Sequence, residues 1–197
     1  MSRWRWLLWL ALALPALWIG GQWIATPATY GFGHAVKDSG DWTAWLLLAT
    51  LAVTPLRLAF RKRPWTLWLL KRRRDLGVAS FAYAAIHTGI YLGNKADLGT
   101  ILEEAAGFDL LTGWLALSLF VPLAITSNDR SMRAMKRGWK RLHMLVHPAA
   151  VLVFVHWALT AFDPTAAYIH IGILAAIEIA RFALKRLGRR SANGIKA

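Results

Sequence analysis

The chain has 197 residues, 57% of them hydrophobic and only 17% charged, with no cysteine and a net charge of +14. A soluble domain carries about a quarter charged residues, so an ordinary water-soluble fold is excluded. The missing cysteines exclude disulfides, thiolate metal sites, iron–sulfur ligation and a cysteine nucleophile.

Six apolar runs are long enough, or nearly so, to cross about 30 Å of hydrocarbon, at roughly 4–24, 42–60, 75–92, 109–125, 140–160 and 165–184. The first follows Arg3 and Arg5, carries Pro15 as an expected kink, and reads as a retained helix rather than a cleaved signal. A Gly/Thr/Pro-rich stretch, 25–41, reads as an external loop. After the second run comes RKRPWTLWLLKRRR, basic with Trp65 and Trp68, which suits a short helix lying on lipid. The third run contains His87 and leads into the acidic loop GNKADLGTILEEAAGFD. The fourth ends near Pro122 in a basic loop, the fifth carries His143, His147 and His156, and the sixth carries His170 and Glu178 before a basic tail.

All of the 24 Lys and Arg except Lys37 and Lys95 fall at the termini, in alternate connectors or at the run ends that flank these. That bias places both termini in the cytoplasm and explains the charge by topology, leaving no case for nucleic-acid binding. The expected fold is all-α: one polytopic bundle of six transmembrane helices forming a single domain over 1–197.

Ionisable groups inside a span are costly and mark function. His87 and His156 sit at comparable depth on the third and fifth helices, which run in the same direction. Such a pair can fill both axial positions of a haem iron. The alternatives are core histidines bonded between helices, or a zinc site from His143 and His147 at i, i+4, for which no cysteine or nearby carboxylate completes the ligand set. His143 and His156 are 13 residues, or about 20 Å, apart along a helix and about 140° apart in azimuth. A kink at Pro148 is expected to bring their faces together, or else the two serve different groups.

Four motifs in combination, VTPLRL at 53–58, RRRDLGVASFAYAAIHTGIYL at 72–92, WKRLHMLV at 139–146 and VFVHW at 153–157, resemble the ferric-reductase-like transmembrane family. Within it the resemblance is to the haem-binding membrane subunits of periplasmic protein-methionine-sulfoxide reductase systems. The resemblance implies haem b, a bound FMN and residence in the bacterial inner membrane. It also implies electrons fed by a cytoplasmic flavin reductase or by quinol, and handed to a periplasmic molybdopterin-containing reductase that repairs methionine sulfoxide. By the family's motifs His87, His143 and His156 are haem-iron candidates. Wider ferric reductases carry a second histidine on the third helix, where this chain has Arg74. One haem between His87 and His156 is therefore expected, with FMN near His143. Arg73, Arg74 and Arg141 are candidates for its phosphate, although the same arginines suit topology signals and lipid contacts. Asp97, Glu103, Glu104 and Asp109 form a candidate docking surface for the reductase. No residue is assigned to substrate chemistry, which belongs to the partner. The rival readings are a ferric reductase or superoxide-handling cytochrome b, and a small proton-coupled transporter using its histidines. His34, His147 and His170 receive no role.

Overall fold

A computed structural model describes residues 3–95 and 97–194; Lys196 of the basic tail lies outside them. The described residues form helices α1 (Arg3–Ala25), α2 (Gly31–Ala59), α3 (Pro64–Gly93), α4 (Leu98–Ala105), α5 (Phe108–Ile125), α6 (Asp129–Met135), α7 (Arg137–His143), α8 (Val146–Thr160) and α9 (Thr165–Gly194), and no strand. Six stretches are long and apolar enough to cross a membrane: α1, α2, α3, α5, α7–α8 together and α9. The protein is an all-α, multi-pass bundle.

α2 is the central helix. Its Ala44, Leu47, Leu48 and Leu51 pack against Phe120 and Leu123 of α5, Ala149, Ala150 and Phe154 of α8, and Leu174 of α9. Small residues let these backbones approach where lipid offers no hydrophobic drive. A second cluster joins Ile19 of α1, Ala35 and Leu46 of α2, and Ala79 and Tyr83 of α3. Polar side chains staple the helices: Ser80 donates to the Thr43 carbonyl at 2.9 Å, and the Tyr83 hydroxyl accepts from Ala16 N–H at 3.0 Å and donates to the Leu12 carbonyl at 2.7 Å. The last pair seats Tyr83 against the α1 turn that contains Pro15.

The structure changes three expected boundaries. Residues 31–41 are helical and belong to α2, because Ser39, Thr43 and Thr50 return their hydroxyls to carbonyls of their own helix. The basic connector is not a separate surface helix: Pro64 stands at the first turn of α3, where its fixed φ and missing N–H cost nothing, and the helix runs unbroken through Lys71 to Arg74. Asp75, expected at a helix start, is a buried acid in mid-helix, held by Arg5 at 2.9 Å and Arg72 at 3.5 Å. The fifth span breaks at Met144 and Leu145, one turn before Pro148. Pro148 cannot donate to the Met144 carbonyl, which instead accepts from His147 N–H at 3.2 Å.

The basic segments gather at one end of the bundle. There Arg5 meets Asp75, and Arg74 meets Asp129 at 2.6 Å.

Candidate haem and flavin sites

At the end of the bundle away from the basic segments, His87 occupies the last turns of α3 and His156 the last turns of α8. Their ring centroids are 6.3 Å apart and their planes cross at 87°. His87 Nδ1 lies 2.9 Å from the Val36 carbonyl of α2, and His156 Nδ1 lies 2.9 Å from the Asp109 carbonyl of α5. A carbonyl only accepts, so each Nδ1 carries the proton and each Nε2 keeps its lone pair. That is the state of a metal-ligating imidazole, with the second nitrogen fixed by a backbone carbonyl.

The spacing also fits. A metal–imidazole bond is about 2.0–2.1 Å, and the ring centre lies about 1 Å behind its nitrogen. Two imidazoles on one iron therefore have centroids about 6 Å apart, against 6.3 Å observed. The ring spacing and the tautomers thus fit two imidazoles on one iron between α3 and α8.

Two glycines admit these rings. A Cβ on Gly113 of α5 would lie 2.9 Å from both Cε1 and Nδ1 of His156, and one on Gly40 of α2 would lie 3.3 Å from Nδ1 of His87. Four helices therefore meet here: α3 and α8 carry the two histidines, while α2 and α5 supply the two carbonyls and the space.

His143 lies at the basic end and is not brought to this pair. Its Nε2 is 3.1 Å from Thr126 Oγ1, and Thr126 donates its own proton to the Pro122 carbonyl at 2.6 Å. Nε2 of His143 is therefore the donor, the opposite tautomer from His87 and His156. Trp139 stacks on the ring at 3.9 Å and donates its indole N–H to the Thr126 carbonyl. Arg73 and Arg74 act electrostatically on His143. Arg73 Nε donates to the Thr50 carbonyl at 3.2 Å, Arg74 pairs with Asp129, and Arg141 is exposed. The Arg74 guanidinium holds the Asp129 carboxyl below its ordinary range.

Several partners were not visible in the sequence. His147 Nδ1 sits 2.7 Å from Glu178 Oε1, whose other oxygen accepts from Arg181 Nε at 2.8 Å. The i, i+4 spacing of His143 and His147 gives no metal pair, because each ring has a different partner. His34 is exposed and bonded to the Tyr30 carbonyl of its own helix turn. The carbonyls of Val36 and Asp109 have no sequence signal; Gly40 and Gly113 could have been noticed as the small residues facing the two histidines.

Near the haem end, Glu104 of α4 accepts from Tyr91 and from Lys95, each at 2.6 Å. Lys95, then Tyr91, hold its carboxyl below the usual range. Asp97 caps α4 by accepting from Thr100 N–H at 2.9 Å, which holds its carboxyl low too.

A family model described as the ferric reductase like transmembrane component matches residues 39–155. A relative from Xanthomonas campestris pv. campestris (strain B100), named protein-methionine-sulfoxide reductase heme-binding subunit MsrQ, is 40% identical over 143 residues, covering 71% of this chain and 64% of its own length. The relative of the same name from Xanthomonas axonopodis pv. citri is 39% identical over 145 residues, with the same coverage. The one from Brucella ovis is 35% identical over 199 residues, covering 96% of this chain and 86% of its own. The chain thus spans slightly less than two thirds of the Xanthomonas proteins and most of the Brucella protein. No solved structure matches it.

Proposed function

The chain belongs to the ferric-reductase-like transmembrane family and is a multi-pass protein of the bacterial inner membrane; from that premise we propose that it is the haem-carrying electron-transfer subunit of a protein-methionine-sulfoxide reductase system. The observation that carries this reading is the His87–His156 pair, 6.3 Å apart with both Nδ1–H groups fixed on backbone carbonyls. The names of the relatives support the same assignment.

When bound, a b-type haem supplies a one-electron store at its iron. The residues of this chain supply the rest. His87 and His156 would hold the haem iron through their Nε2 atoms, a pairing that would suit electron transfer over oxygen chemistry. Val36 and Asp109 fix the tautomers, and Gly40 and Gly113 keep the rings in line. By the charge bias, the basic end faces the cytoplasm and the haem end the periplasm. Electrons enter at the basic end from a flavin reductase or quinol and leave at the haem end to a periplasmic molybdopterin-containing reductase, where methionine sulfoxide is reduced. Asp97, Glu103, Glu104 and Asp109 belong to the surface offered to that partner.

At the basic end we place FMN, with its phosphate among Arg73, Arg74 and Arg141 and its ring system near His143 and Trp139. A guanidinium has five donors, so the contacts Arg73 and Arg74 already make leave capacity for an anion. The opposite tautomer of His143 supports two unlike cofactors rather than two haems.

The test is an optical spectrum of the purified protein. Sharp reduced bands of six-coordinate low-spin haem, lost in His87→Ala and His156→Ala, are expected. A protein that stays colourless after reconstitution with haem defeats the reading and returns the histidines to a transporter.

A further inference from the structure

The two carbonyls that hold His87 and His156 carry more than those rings. The Asp109 carbonyl of α5 accepts from Thr112 Oγ1 at 2.6 Å as well as from His156 Nδ1 at 2.9 Å. The Val36 carbonyl of α2 accepts from Ser39 Oγ at 2.9 Å as well as from His87 Nδ1 at 2.9 Å. Ser39 and Thr112 are both buried. In each case the hydroxyl stands three residues after the carbonyl, and the glycine that admits the ring, Gly40 or Gly113, stands four residues after it. The same device is therefore built twice, on α2 for the histidine of α3 and on α5 for the histidine of α8.

In an α-helix the N–H four residues on also bonds the same carbonyl. Three donors thus converge on an oxygen with two lone pairs, and each takes a smaller share than it would alone. A Ser or Thr that returns its proton to its own helix ordinarily does no more than satisfy itself. Thr50 and Thr88 do so against the Leu46 and Ala84 carbonyls. What sets Ser39 and Thr112 apart is the acceptor, which each shares with one of the two proposed iron ligands.

The partner on the far nitrogen of a metal-bound imidazole raises the basicity of the ligating one. Hydrogen bonding around an axial ligand is in turn one of the levers a protein has on haem potential. We infer that Thr112 and Ser39 are positioning residues of the haem site, which set its midpoint potential by competing with His156 and His87 for the Asp109 and Val36 carbonyls. This rests on the haem reading above. The competition weakens each Nδ1–H bond, so each ring lends less charge at Nε2, and the ferrous state is favoured over what a site without the hydroxyls would hold. The two hydroxyls are unequal. Thr112 donates to the Asp109 carbonyl, whereas Ser39 divides its one proton between the Val36 carbonyl and the nearer Ala35 carbonyl at 2.7 Å. Thr112 therefore has the larger effect.

The experiment is an optical redox titration of the haem in the full chain and in Thr112→Val, Thr112→Ser and Ser39→Ala. Valine keeps the shape of threonine and removes the donor. In Thr112→Val the midpoint potential should fall while the low-spin bands persist. The ferric-to-ferrous ratio at a fixed potential should rise about three- to tenfold, and tenfold is about 59 mV for one electron. Thr112→Ser, which restores the hydroxyl, should keep the wild-type potential, and Ser39→Ala should shift it downwards by less than Thr112→Val. An unchanged or raised potential in Thr112→Val, a serine variant that behaves like the valine variant, or a larger shift in Ser39→Ala overturns the inference. A second measurement needs no haem: in the haem-free chain with 15N-labelled histidine, the Nδ1–H proton of His156 should move downfield in Thr112→Val, and that of His87 in Ser39→Ala, as each carbonyl is released to its ring. If Thr112→Val does not fold, the Ser39→Ala shift decides, and its absence overturns the inference. Failure of the haem reading itself shows separately, as absent low-spin bands in the wild type, and takes this inference with it.

Discussion

Gly113→Ala and Gly40→Ala make the sharpest pair of perturbations, because the structure assigns them unequal effects. Ordinary van der Waals contact begins near 3.4 Å, and the new Cβ at position 113 would stand 2.9 Å from two atoms of the His156 ring. The ring has to retreat by about 0.5 Å, the tolerance within which a ligand constellation has to be held. That retreat also stretches the 2.9 Å bond to the Asp109 carbonyl. Loss of such a fixing partner costs about 10- to 100-fold in metal affinity, or about 1.4 to 2.8 kcal/mol. At position 40 the new Cβ would stand 3.3 Å from His87 Nδ1, so the neighbour gives by only a tenth or so of an ångström, and haem binding should change less than tenfold. The assay is haem stoichiometry and dissociation constant in detergent, with circular dichroism to confirm the fold. Wild-type haem affinity in Gly113→Ala, or a larger loss in Gly40→Ala, refutes the geometry assigned to the two rings.

Other outcomes follow from the same structure. Arg73→Ala with Arg74→Ala should lower the flavin released on denaturation while leaving the haem bands intact; unchanged flavin removes FMN from that place. Glu178→Gln keeps the shape beside His147 but removes the charge that Arg181 and His147 share, so the basic end should lose thermal stability and haem content should hold. Haem loss in that variant would mean that the two ends are not independent. Asp97 and Glu104 have carboxyls held low in the folded state, so their stabilisation of α4 is present above the unfolded carboxylate range near pH 4. It is lost as pH falls through their folded values. Amide exchange at Thr100 should therefore accelerate below about pH 4 and not between pH 5 and 8; the reverse would show that Asp97 does not cap the helix.

Much of this was legible in the chain, for specific reasons. Apolar run length and the Lys and Arg bias are one-dimensional signals, so the six spans could be read from them. His87 and His156 were paired because depth along parallel helices is simple arithmetic. The azimuths were harder. Pro148 leaves two outcomes open in the sequence, faces brought together or two histidines serving different groups; the break falls a turn earlier, at Met144, and leaves His143 on Thr126 and Trp139. The start of α2 was missed because Gly31 and Gly33 suggest a loop, while the hydroxyls of Ser39 and Thr43 satisfy themselves within the helix. Asp75 resembled a helix start because its partner, Arg5, is 70 residues away. The surroundings of His170 carry no sequence signal, because its aromatic neighbours come from two other helices, α2 and α8.

The central claim is that one iron sits between His87 and His156 with the two imidazoles as the structure holds them. Electron paramagnetic resonance of the oxidised protein tests it most directly, because the low-spin ferric signal reports the angle between axial ligand planes. Planes crossing at 87° call for a strongly anisotropic signal dominated by a single large g value, absent from His87→Ala and His156→Ala. A rhombic three-line signal of parallel imidazoles, a high-spin signal, or a low-spin signal that survives either substitution would contradict it.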